Sequence, residues 1–106
     1  MISIKEGSLQ FDFPDDWQVT KYDEWRFYVK HFQKISESVK AVDIIALSPE
    51  KTLWLIEIKD YRNHPRTKLL DIDEEVAVKV KDTLAGLVSA KCNAMIESEK
   101  KMAINL

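Results

Sequence analysis

The sequence predicts an α+β domain: a short, mostly antiparallel sheet flanked by helices, with a long C-terminal helix. Three observations carry this. Two apolar runs, "VKAVDIIALS" (39–48) and "TLWLIEIKDY" (52–61), have the β-branched and aromatic content of strands and meet through the short "SPEK". From residue 72 onward, Val76, Val80, Leu84, Leu87, Val88 and Met95 recur at helical spacing. Near the start, "SLQFDF" (8–13) alternates Leu9, Phe11 and Phe13 against polar neighbours, a strand closed by Pro14.

The next segment, "DEWRFYVKHFQ" (23–33), places Trp25, Tyr28, Val29 and Phe32 at helical spacing, although its β-branched and aromatic content also admits a strand. Its aromatics read as core. The 39–48 and 52–61 strands form a hairpin whose register has two solutions. Pairing Ser48 with Thr52 around a three-residue loop brings Asp43 opposite Glu57; pairing Ser48 with Lys51 sends the two acids to opposite faces. Pro49 suits the first position of a type I turn, but no glycine selects the loop length. Within 53–59, Trp54, Ile56 and Ile58 share one face, and Leu53, Leu55, Glu57 and Lys59 the other, so the strand reads as buried on both sides.

"NHPRTK" (63–68) is a polar, basic loop in which His64 reads as a surface residue. Asp71 followed by Glu74 resembles a capping box opening the last helix. Unbroken to residue 104, that helix would be about 50 Å long at ~1.5 Å per residue, against a radius of gyration near ~13 Å for a chain of this size. It must break, with Gly86 and Asn93 the expected weak points, or protrude, or pack on another subunit. "AINL" (103–106) would begin a final strand.

The bulk properties exclude several classes. With 106 residues, 45% hydrophobic and 32% charged, residues 1–106 read as one globular domain, whole or part of a longer chain. No apolar run approaches the roughly 20 residues of a membrane helix, and the N-terminus does not read as a signal peptide. One cysteine, Cys92, excludes an internal disulfide, no Cys/His cluster has zinc spacing, and a reducing cytoplasm is expected. Two glycines leave no glycine-rich phosphate loop. A net charge of −2 argues against nucleic-acid binding by bulk charge, yet residues 59–68 carry +3.

The chemistry gathers on the hairpin. Asp43 and Glu57 each sit in an apolar run, and an unpaired buried charge is costly, so such groups are paired or bound to metal. The plain reading is a partly solvated strand end with a surface salt bridge. If the acids meet, two carboxylates beside the Lys59 ammonium suit a hard divalent cation, which would activate a water and stabilise charge on a phosphate.

An acid on one strand, a turn, and Glu-x-Lys on the next resembles the signature of the PD-(D/E)xK, or restriction-endonuclease-like, nucleases; here it is Asp43 with Glu57-Ile58-Lys59. The resemblance implies a restriction-endonuclease-like core over about residues 21–106, with Val42 in place of the motif's proline, no clear strand between the first helix and Asp43, and the last strand lacking. It implies Mg²⁺, with Mn²⁺ as a substitute, held by Asp43, Glu57 and the Ile58 backbone carbonyl, and by Glu24 or Asp23 from the first helix. Lys59 would be catalytic, and Arg62, Arg66 and Lys68 would contact nucleic acid, DNA ahead of RNA. The expectation is a Mg²⁺-dependent nuclease. The alternatives are a nuclease-fold binding or assembly module without turnover, and a structural α+β domain whose charges are incidental. A homodimer is expected from the overlong helix and the open sheet edge.

Overall fold

A computed structural model of the chain describes residues 1–36, 38–62 and 71–106; the expected basic loop, with His64, Arg66 and Lys68, lies outside them. The alternation Ile2-x-Ile4 and Leu9-x-Phe11-x-Phe13 makes a hairpin of β1 (Ile2–Glu6) and β2 (Leu9–Phe13). Gly7 turns it at a φ of 58°, a conformation that lacks a steric penalty only for glycine. β3 (Gln18–Thr20), β4 (Ile44–Leu47) and β5 (Leu53–Ile56) form a second antiparallel sheet in that order. Between β3 and β4 the chain makes a 3-10 turn (Tyr22–Glu24), the short α1 (Arg26–Lys30) and a second 3-10 turn (Phe32–Ile35), so the helix expected over 23–33 is three short pieces. α2 (Ile72–Asn93) and α3 (Glu97–Asn105) complete the chain.

The α+β class with short antiparallel sheets holds; the finer restriction-endonuclease-like core is not established by this arrangement. β4 is the centre. Ile44 and Ala46 face Phe13, with Ile2, Ile4, Phe11 and Trp17 packed around them, so the β1–β2 hairpin covers one side. Ile45 and Leu47 face Tyr22, Trp25, Phe27, Tyr28 and Leu87, the helical side. β5, expected to be buried on both faces, is instead an edge strand that pairs with β4 alone among the described residues, and its Trp54 is 50% exposed.

The hairpin takes the three-residue loop. Leu47 pairs with Leu53, and the Ser48 N–H donates to the Thr52 carbonyl at 3.0 Å. Lys51, at a φ of 69°, supplies the left-handed residue that such a loop requires. Pairing ends at Ile44 opposite Ile56, so Asp43 and Glu57 follow just beyond the ladder in matching register.

α2 starts after Asp71 as read, although the Asp71 carboxylate makes no capping bond. Extended backbone at Ala94 and Ile96 breaks the long helix just after Asn93, and α3 folds back, burying Met102 and Ala103. "AINL" is therefore mostly the end of α3, and no strand follows α2 among the described residues. The inward face of α2 is Glu75, Thr83, Gly86, Leu87 and Ala90, whereas Leu84, Val88 and Met95 of the expected apolar stripe are exposed. Close approach explains this: a Cβ on Gly86 would overlap the Tyr22 hydroxyl and lie 3.1 and 3.2 Å from the Phe32 ring. The Val42 N–H donates to the Thr83 hydroxyl at 3.0 Å, tying α2 to the approach to β4. No described helix is long and apolar enough to cross a membrane.

Candidate functional site

The charges at the end of β5 are resolved by α2. Glu57 is the first residue past the strand, and its side chain is only 6% exposed. One of its oxygens pairs with the Lys79 ammonium and, at 3.3 Å, with Lys59. Lys59 also pairs with Glu75, four residues before Lys79 and therefore on the same face of α2. The order Lys79–Glu57–Lys59–Glu75 alternates in sign and sums to zero. Burial lowers the pKa of Lys59, but its hydrogen bonds with Glu75 and Glu57 outweigh this and hold it above the usual lysine value. The other Glu57 oxygen, Oε1, is buried without a hydrogen-bond partner. This is neither a solvated strand end nor a surface salt bridge.

A second group of acids lies where β1 ends and β4 begins. One carboxylate oxygen from each of Glu6, Asp23 and Asp43 lies within 4.8 Å of the others. Asp43 also accepts the Ile58 N–H at 2.7 Å, and Glu6 pairs with Lys21 at 3.2 Å. Asp23 Oδ1 is buried with no partner. Burial, reinforced by Asp43 and Glu6, pushes the Asp23 carboxyl up to about 6. Such a group gains by taking a proton or a cation. Three carboxylates are the hard oxygen donors that Mg²⁺ or Ca²⁺ prefers, and the orphaned Asp23 oxygen fits that chemistry.

The expected site residues are thus divided between two groups. Asp43 belongs with Glu6 and Asp23; Glu57 and Lys59 belong with Glu75 and Lys79. Glu24 is exposed, pairs with Lys21 at 3.1 Å and stands outside the acidic group, where its neighbour Asp23 takes the place. The Ile58 amide is engaged by Asp43. Arg62 is exposed, held by Asp60 at 2.7 Å and hydrogen-bonded to Ser8 at 2.8 Å. With Lys59 turned inward, little of the positive charge expected over 59–68 is free among its described members. Sequence reasoning missed Glu6, Glu75 and Lys79. Glu75 and Lys79 carry an i, i+4 signal, whereas Glu6 joins only through the folding of β1–β2 over the sheet.

No protein-family model matches this chain, and no solved structure does. A curated relative is 44% identical over 131 aligned positions that take in 94% of this chain and 18% of the relative, a cysteine–tRNA ligase of Neisseria meningitidis serogroup A. The alignment is longer than the 106-residue chain, so the relative carries residues within the match that this chain lacks. This finding overturns the resemblance to PD-(D/E)xK nucleases, which rested on three matched positions. The expected Mg²⁺-dependent nuclease, a hydrolase of phosphodiesters, gives way with it, and so does the nuclease-fold binding module. The chain is similar to a minor part of a cysteine–tRNA ligase.

Proposed function

We propose that this chain is a module serving a cysteine–tRNA ligase-type protein, where it contributes contact with RNA to aminoacylation. The observation that supports this is the 44% identity running through 94% of the chain. RNA contact is the part of the task that a small α+β domain with local positive charge can perform. RNA thus replaces the DNA expected from the motif, and the setting is the cytoplasm. Arg62, with Arg66 and Lys68 in the same basic segment, is assigned to phosphate contact, for which its guanidinium would exchange the Asp60 carboxylate for a phosphate.

The reading includes two finer assignments. Mg²⁺, with Mn²⁺ as a substitute, is the cation assigned to Glu6, Asp23 and Asp43, on the strength of the orphaned Asp23 oxygen. Self-association as a homodimer is assigned to the exposed apolar face of α2 at Leu84 and Val88.

Fluorescence anisotropy with a labelled cysteine-specific tRNA transcript tests the central reading. Saturable binding with a dissociation constant below about 100 µM at ~0.1 M salt, tighter than to duplex DNA, is expected. No binding in that range, or equal binding to the DNA, overturns it.

A further inference from the structure

A groove of about 450 Å³ runs between α1 and the turn joining α2 to α3, lined by Arg26, Phe27, Lys30, His31, Met95 and Ile96. That volume suits a small ligand or one unstacked nucleotide. Its two walls differ. On one, Arg26, Lys30 and His31 are all exposed, and none of them holds an ion pair among the described residues. Residues 26–36 contain no acid, so this stretch carries +3 with Lys34. A nearby acid, Glu99, has both carboxylate oxygens occupied by the N–H groups of Arg26 and Phe27, at 2.9 and 3.0 Å. It therefore fixes α1 in place and leaves the cations open. On the other wall, Met95 is 83% and Ile96 37% exposed, an apolar surface next to those cations.

Unpaired cations beside an exposed imidazole and apolar side chains are what single-stranded RNA requires: charge for the backbone and a flat or apolar surface for a base released from its stack. A duplex would meet the cations but would have no base to place against Met95 and Ile96. We propose that this groove holds one unstacked nucleotide of a single-stranded RNA segment, with its flanking phosphates on Arg26 and Lys30 and its base against His31, Met95 and Ile96. The assignment rests on the RNA reading above and names for it a surface built of residues other than the Arg62 segment.

The test is anisotropy titration of a labelled cysteine-specific tRNA transcript over a salt series, with wild type, Arg26→Ala, Lys30→Ala, Met95→Asp and, as a control on β1, Lys5→Ala, each checked for native circular dichroism. Arg26→Ala and Lys30→Ala are expected to weaken binding about fivefold and to lower the salt slope by ~0.7 each, as for loss of one single-strand phosphate contact. Met95→Asp is expected to weaken binding, Lys5→Ala to leave it unchanged, and a single-stranded oligoribonucleotide to compete better than the same sequence in a duplex. If wild type binds the transcript and the groove variants bind equally well, the groove assignment is overturned while the RNA reading stands. If an acidic polypeptide competes as well as the oligoribonucleotide, the groove is a protein-docking surface and the assignment is again overturned. If wild type binds no transcript, both fall.

Discussion

The ammonium of Lys79 on α2 pairs with the carboxylate of Glu57 at the end of β5, a side chain that is only 6% exposed. With Lys59 and Glu75 it makes a neutral buried chain that fixes the first turns of α2 to the end of the sheet. Removing one member of a buried pair leaves an uncompensated charge, which costs more than the pair itself contributes. Lys79→Met is expected to destabilise by up to about 3 kcal/mol, because Lys59 remains as a partial partner for Glu57. Adding Glu57→Gln should recover part of the loss. Urea unfolding of both variants measures this, and equal stability of wild type and Lys79→Met would mean the pair is not formed.

Gly86 sets how closely α2 approaches the aromatic layer. Gly86→Ala would gain helix propensity but must displace Tyr22 and Phe32, so it is expected to destabilise by about 1–3 kcal/mol. A rise in melting temperature would show that α2 sits farther from Tyr22.

Asp23 gives a pH dependence with a definite sign. Its folded-state carboxyl lies at about 6, above the usual aspartate range, because burial and its acidic neighbours disfavour the charge. The folded protein therefore binds more protons than the unfolded chain between about pH 4 and 6, and stability falls as pH rises through that window. Asp23→Asn, measured with a chelator present, is expected to raise the melting temperature near ~pH 7.5 and to have little effect near ~pH 4. A variant less stable than wild type at the higher pH would contradict this account of the acidic group.

Leu84 and Val88 remain exposed on α2, at 46% and 67%. Sedimentation equilibrium is expected to give a mass above 12.3 kDa that rises with concentration, and Val88→Lys to return it to the monomer value. A mass of 12.3 kDa for wild type at every concentration would remove the self-association.

The strands β2, β4 and β5 and the α2 start at Asp71 were legible as local signals, whereas β1 and β3 were not expected. Ser48 and Thr52 about Pro49 left two registers open, and the left-handed Lys51 goes with the three-residue loop that the chain adopts. Trp25 and Tyr28 are core as read. The inward face of α2 was legible only at Val80 and Leu87; the close approach to Tyr22 selects Thr83, Gly86 and Ala90 for size, which a stripe of large apolar residues does not mark. The break at Ala94–Ile96 falls just after Asn93, one of the two weak points expected, whereas Gly86, the other, stays inside α2. Glu57 and Lys59 were visible as charges in an apolar run, but their partners lie at positions 75 and 79, whose i, i+4 spacing does not by itself say that they face the end of β5. Reading those charges as a metal-dependent site took a pairing problem for a reaction.

The central claim, that this chain contacts RNA for a cysteine–tRNA ligase-type protein, is tested most directly by residue-resolved NMR. Amide shifts of the isotopically labelled chain would be followed during titration with a cysteine-specific tRNA transcript. The account predicts perturbations centred on Arg26, Lys30, His31 and Ile96, with a second set near Arg62 and little change at Glu57 and Lys79. Unchanged spectra at about 100 µM of each partner, the weak end of charge-driven binding, would contradict it.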